Sequence, residues 1–293
     1  MIDNLMIAGS PNSINGFIDS LIISLPYFYL YVIGIMIIIS ILAYRSKQLT
    51  LSGSMAAFLL GSVVTFAFGT GGLLVYLFFV ILAGVLSKLN KNNEIYKEAE
   101  EIQEKGSIRD WVQVLSNAGP VLIFSLLYII QPHPLLLIMF GGSICEAVCD
   151  TSAGEVGMFF RGRTVSIITG RPQKSGLSGG VSFEGTLGGF IASLIIAMIW
   201  YSCFFYPSFS TITYMFVAAF AGFAGCLVDS IMGASVQAHY YDKKNECVTE
   251  REEIDGNKLE LVRGIRFFNN DRVNLISNIF SVIFALLLGL LIL

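Results

Sequence analysis

Five carboxylates, Glu146, Asp150, Glu155, Glu184 and Asp229, stand in or at the edge of long apolar stretches of this sequence. An ionisable side chain within a bilayer is expensive to hold, and where one occurs it marks a functional site by default. Glu146 and Asp150 are four residues apart and share a face of a helix, with Glu155 about one turn further on. A faint internal repeat links two of the acids. Asp150-Thr151-Ser152-Ala153-Gly154 and Asp229-Ser230-Ile231-Met232-Gly233 set a carboxylate, a hydroxyl and a glycine at equal offsets. Carboxylates gathered near lipid headgroups suit a hard divalent cation, and Mg²⁺ typically takes one or two of them plus substrate phosphates.

A complement to phosphate lies close by in the chain. Arg161-Gly162-Arg163 is followed by Gly170-Arg171-Pro172-Gln173-Lys174-Ser175-Gly176-Leu177-Ser178-Gly179-Gly180, which opens into a helix near Val181 to Glu184. Glycines let backbone N–H groups approach an anion, a helix N-terminus adds partial positive charge, and arginine offers a bidentate fork. Alone this is a weak signal, because a glycine-rich stretch between spans is often a plain connector. Further polar groups, Arg109, Asp110, Gln113 and Asn117, and then Asn274, Ser277 and Asn278, open two other apolar segments. The five cysteines have no paired ligand spacing, and two histidines, His133 and His239, leave little room for a histidine-based hydrolytic site. The alternating charges from Lys91 to Gly106 predict a solvated surface helix.

The elements that must position these groups are membrane helices. Of 293 residues, 55% are hydrophobic and 13% charged, against about 25% charged in ordinary soluble domains. Charge-free stretches run over 20–44, 48–87, 111–145, 185–228 and 273–293. A span needs about 20 apolar residues. The middle three stretches therefore hold two spans each, broken at Gly69 to Gly72, at Gln131-Pro132-His133-Pro134 and at Tyr206-Pro207-Ser208. The expected fold is an all-α polytopic membrane protein of about eight transmembrane helices, near 26–44, 52–68, 71–88, 111–130, 134–157, 184–205, 211–236 and 274–293. All 18 basic residues fall in four loops, near 45–51, 88–110, 158–183 and 237–273. The positive-inside rule places those loops in the cytoplasm and both termini outside. The chain reads as one integral membrane domain over 1–293, with the polar start, Met1 to Gly16, retained. The polar groups of several helices then meet at the cytoplasmic leaflet, and few are found in the outer one.

Five ordered segments resemble a known family. They are Arg109-Asp-Trp-Val-Gln113-Val-Leu-Ser-Asn117-Ala-Gly, Asp150-Thr-Ser-Ala-Gly-Glu155-Val-Gly157, Ser178-Gly179-Gly180-Val-Ser-Phe-Glu184-Gly-Thr186, Gly222 to Gln237 around Asp229, and Asn270-Asp-Arg-Val-Asn274-Leu-Ile-Ser277. Together they resemble the membrane family called domain of unknown function 92, identified as the family of animal transmembrane protein 19 and of plant phytyl-phosphate kinase. A more distant similarity is to CTP-dependent polyprenol kinases and to CDP-diacylglycerol synthase.

The resemblance implies CTP-type chemistry on a lipid at the cytoplasmic leaflet. The expected reaction is transfer of a phosphoryl group from a nucleotide, CTP first, to an isoprenoid monophosphate, with Mg²⁺ as cofactor. Asp150, Glu155 and Asp229 are the expected metal ligands, and with Arg109 the catalytic set. Arg163, Lys174, Ser178, Gly179, Gly180, Glu184 and Thr186 are the expected nucleotide-binding residues. Gln113, Asn117, Gln237, Asn274 and Ser277 are expected at the lipid phosphate. Ser152 and Gly154 depart from the family pattern, and the arm from Thr164 to Lys174 diverges, so lipid identity stays open. Three alternatives stand beside this reading: a prenol kinase, a cytidylyltransferase that makes a CDP-lipid, and a lipid-phosphate or ion transporter. The expected partners are an isoprenoid lipid phosphate and membrane lipids, with no nucleic acid; self-association is left open. A bacterial plasma membrane is the default setting.

Overall fold

The computed structural model describes residues 28–205 and 211–292. They form α1 (Phe28–Arg45), α2 (Leu51–Asn90), α3 (Glu94–Ile102), α4 (Trp111–Ile130), α5 (Pro134–Phe159), α6 (Phe183–Phe204), α7 (Ile212–Ser235) and α8 (Asn270–Ile292). Six of these, α2 and α4 to α8, are long and apolar enough to cross a membrane, and α1 is a shorter apolar helix. The chain is a mostly helical, polytopic membrane protein.

The 40 residues of α2 are two arms and not one rod. Gly69 takes φ 63° and ψ −150°, a region that is essentially reserved for glycine. The chain doubles back there, since the Tyr76 hydroxyl donates to Ala57 O at 2.7 Å across 19 residues. An unbroken helix would hold those two residues about 28 Å apart. The arms coincide with the spans expected near 52–68 and 71–88. At the second breaker His133 caps α5 and Pro134 occupies its first turn, where a missing N–H costs nothing. The third breaker, at Tyr206-Pro207-Ser208, lies outside the described residues, as do Met1 to Gly16 and the start of the first span.

The central helix is α5, which packs against α4, α6, α7 and α8. Gly222 and Gly225 let α7 approach α5 closely: a Cβ at either would strike Cys145 or Glu146. Away from the polar loops, Phe68, Tyr128, Phe140, Phe204 and Trp200 form an aromatic cluster, with Phe68 stacked on Phe140 and the other rings tilted or edge-on.

Four loops meet at the opposite end. Thr50 N donates to Arg109 O at 3.0 Å, and Asn90 Nδ2 donates to the Glu155 carboxylate at 2.7 Å. Within the expected helical architecture the loops at this end also carry short strands. A hairpin, β1 (Val165–Ser166) with β2 (Gly180–Val181), joins α5 to α6. Between α7 and α8, β3 (His239–Asp242), β4 (Cys247–Thr249) and β7 (Glu260–Arg263) make an antiparallel sheet in the order β4-β3-β7. A small hairpin, β5 (Glu253–Ile254) with β6 (Asn257–Lys258), hangs between β4 and β7. The expected solvated helix forms as α3, but one face, Tyr96, Ala99 and Ile102, is buried. Ile102 O accepts from Thr249 Oγ1 at 2.7 Å and from Glu250 N at 2.9 Å, so α3 is tied to the sheet.

Candidate active site

A cavity of about 360 Å³ opens among these loops and the helix ends below them. It is lined by Arg109, Gln113, Asn117, Asp150, Glu155, Ser178, Gly179, Gly180, Thr186, Asp229 and Asn274 of the residues singled out from the sequence. Helix geometry explains the convergence. Each group stands in the half of its helix nearest these loops, and the packing of α4, α7 and α8 against α5 brings them to one cavity.

Asp150 and Asp229, from α5 and α7, are close enough to interact electrostatically, and Glu146 interacts with both. Glu146 is 1% exposed and is held from α8, by Ser277 Oγ at 2.8 Å and Asn278 Nδ2 at 2.6 Å. Ser277 Oγ also lies 3.3 Å from Asp229 Oδ2, yet a hydroxyl carries one proton for two carboxylates. The Asn274 amide sits between its neighbours, with heavy atoms 3.2 Å from Asn117 Oδ1 and 3.0 Å from Asp229 Oδ2.

The expected metal ligands do not come together as a set of three. Among the described residues no group of three or more His, Cys, Asp or Glu side chains could hold a metal ion unaided. Five residues along a helix turn the side chain by about 140°, so Glu155 leaves Asp150 and turns to Asn90. There it shares with Asp150 the charge of Arg109.

Arg163, Lys174 and Glu184 are not brought to the cavity wall. Arg163 and Lys174 are exposed, because Gln173 N bonds Thr164 O and turns the arm outward. Glu184 lies beside Gly162 in the first turn of α6. The glycine-rich loop does line the cavity, but several of its amides are already engaged. Ser178 N donates to Glu250 Oε1 at 2.7 Å, and Gly180 N donates to Leu177 O at 3.2 Å. Gln237 supports the loop from behind through Ser178 Oγ at 2.9 Å, and Gln113 completes a capping box with Asp110. His239 is buried and its pKa is pushed down to about 4, by burial and then by the Arg263 charge; it does not line the cavity.

Sequence reading missed Lys105, Glu250, Asp271, Glu104 and Tyr96, which all line the cavity. Lys105 Nζ bonds Asp271 at 2.6 Å and Asp110 at 3.0 Å. These two carboxylates outweigh its burial and hold its pKa above the usual lysine range. Taken together, six carboxylates, Glu104, Asp150, Glu155, Asp229, Glu250 and Asp271, face two cations, Lys105 and Arg109. The pocket is thus built with an excess of negative charge.

Glu250 provides a test of the loop clamp. Burial pushes its pKa up to about 7, against an unfolded value near 4.3. The fold therefore holds a proton that the unfolded chain has lost, and stability falls as pH rises from about 4.5 through 7. We expect Glu250→Gln to flatten that dependence. Thermal unfolding in detergent between pH 5 and 8 checks it, and equal slopes in both proteins would contradict the assignment.

The sequence matches the family described as Integral membrane protein DUF92 over residues 34–282. It is 31% identical over 273 residues to Protein PGR of Arabidopsis thaliana, covering 82% of this chain and 90% of that one. An uncharacterized membrane protein of Synechocystis is 32% identical over 206 residues, covering 69% and 77% of the two chains. Protein VTE6, chloroplastic, of Arabidopsis thaliana is 29% identical over 246 residues, covering 82% of this chain and 65% of its own length. No solved structure matches. With the family model matched over residues 34–282 and 31% identity to a relative over 82% of its length, the chain belongs to the DUF92 family of integral membrane proteins.

Proposed function

We propose that the protein is a nucleotide-dependent kinase that transfers the terminal phosphoryl group of CTP, or of another nucleoside triphosphate, to an isoprenoid monophosphate. The observation that carries this reading is one cavity whose lining joins six carboxylates and two cations to an apolar wall that includes Ala57, Leu60, Phe79, Val80 and Ala118. The resemblance to plant phytyl-phosphate kinase supports the same class of acceptor.

The donor set fits Mg²⁺. Asp150 and Asp229 supply hard oxygens, and substrate phosphates would complete a coordination that two carboxylates leave open. A triphosphate entering a cavity with a surplus of carboxylates is repelled unless divalent cations enter with it. Bound there, Mg²⁺ would neutralise phosphate oxygens.

In the transfer, an oxygen of the acceptor phosphate forms a bond to the γ-phosphorus as the bond to the β,γ-bridging oxygen breaks. The products are a lipid diphosphate and CDP. The acceptor is already largely a dianion near neutral pH, so no general base is required and catalysis rests on positioning and charge. Arg109 orients the acceptor phosphate, and Lys105 exchanges Asp271 for nucleotide phosphate. The basic residues of the surrounding loops support a cytoplasmic mouth, with both termini on the other side. The bacterial plasma membrane is the working location. The aromatic cluster that fills the far half opposes a polar route through the bundle, which a transporter requires.

The test is incubation of purified protein with Mg²⁺, prenyl phosphates or free prenols, and CTP labelled at the α- or the γ-phosphate. Label from the γ-phosphate in a prenyl diphosphate is expected. Label from the α-phosphate in the lipid would instead indicate a cytidylyltransferase, and reaction only with free prenols a prenol kinase. No lipid product from folded protein would overturn the reading.

A further inference from the structure

The deep wall of the cavity has a floor. On the second arm of α2, Ala83, Val80, Phe79 and Tyr76 line the cavity in succession, giving about 10 Å of apolar wall from Ala83 to Tyr76. Tyr76 is 4% exposed. Its ring is wedged against Gly61 and Met36, where even a Cβ on Gly61 would lie 2.6 Å from the ring. Its hydroxyl is tied to Ala57 O at 2.7 Å, which satisfies the one polar atom of the side chain and fixes the ring's orientation.

Behind that ring lies a second, separate void of about 10 Å³. It shares Leu60, Phe79, Ala118 and Tyr76 with the main cavity and continues to Val64, Val75, Val121, Phe140 and Ile144. Every one of these walls but the tyrosine is apolar. Tyr76 is thus one of four residues between the slot and this further apolar space, and the one with the largest side chain that also carries a fixed hydrogen bond.

We propose that Tyr76 is the specificity-determining residue for acceptor length: the slot takes one unbranched or prenyl tail, head outward at Arg109, and Tyr76 stops its far end. This rests on the reading of the acceptor as a single-chain lipid phosphate. A tail that ends short of the floor leaves apolar wall unfilled, and one that overruns it must displace a hydrogen-bonded ring. Preference then peaks at one length. Removing the ring joins the slot to the void behind it, and filling the slot higher up shortens it.

The experiment uses the full chain in lipid nanodiscs and equimolar mixtures of alkyl and prenyl monophosphates of graded length, without nucleotide. Bound lipid is extracted and quantified. The wild type is expected to enrich one length. Tyr76→Ala moves the peak to longer tails, with the long-to-short ratio changed by about tenfold, a shift that one or two added methylenes in contact would produce. Ala83→Phe moves it to shorter tails, and Tyr76→Phe leaves it in place. A peak at the same length in wild type, Tyr76→Ala and Ala83→Phe would overturn the proposal, as would wild type enriching no length. Length selection without any phosphoryl transfer in the labelled-CTP assay would leave the slot standing and remove the kinase.

Discussion

Asp229→Asn is expected to lower phosphoryl transfer by about a hundredfold or more while leaving the melting temperature unchanged or raised, and Asp150→Asn is expected to do the same. The two carboxylates interact with each other and with buried Glu146, and α8 offers Ser277 and Asn278 to Glu146 and Ser277 and Asn274 to Asp229. Like charges held together in a low-dielectric site repel, so turning one into an isosteric amide relieves the fold. The same change removes an oxygen that could hold Mg²⁺ and weakens binding of the phosphate charge. Loss of activity with retained or increased stability is the mark of a functional group kept against its own electrostatic cost. Rates over a Mg²⁺ titration, together with thermal unfolding, check this. Normal turnover in both variants would remove the aspartates from the mechanism.

Arg109 carries the second large effect. It is the only guanidinium on the cavity wall among the described residues, and its charge reaches Asp150, Glu155 and Tyr96. Its backbone is pinned, with N donating to Gln48 O and O accepting from Thr50 N, both at 3.0 Å. The side chain therefore starts from a fixed point between the first, second and fourth helices. Lysine at this position keeps the charge and loses the planar fork. We expect Arg109→Lys to reduce kcat/KM for the lipid phosphate by about a hundredfold, with a smaller change in the KM for nucleotide. Arg109→Ala should be worse, because it leaves Asp150 and Glu155 without their cation. Equal effects on both substrates would place Arg109 at the nucleotide instead.

Asp150 and Asp229 were legible from the sequence because an acid in a charge-free stretch has no ordinary reason to be there. Gly69 was legible as part of a glycine cluster that interrupts a stretch too long for one span. Lys105, Glu250 and Asp271 were not legible, since two lie in polar loops and the third in the first turn of α8, each among other charged residues where a single charge carries no signal. Arg163 and Lys174 illustrate the converse. A basic residue beside a glycine-rich run has the right chemistry for phosphate, but both of these are exposed and stand off the cavity wall. Glu155 was expected at the metal from the motif it shares with Asp150, and the helical twist sends it to Asn90.

The division has a physical basis. Whether a segment enters a membrane, how long it must be and where it breaks depend on the transfer of that segment from water, so composition and spacing alone determined a polytopic helical chain with its polar groups at one end. Which of those groups share a cavity depends on contacts between distant parts of the chain. The bond between Ser178 and Glu250 spans 72 residues, and that between Lys105 and Asp271 spans 166. Only the packing of α7 and α8 against α5, and of the sheet against α3 and the glycine loop, decided those pairings.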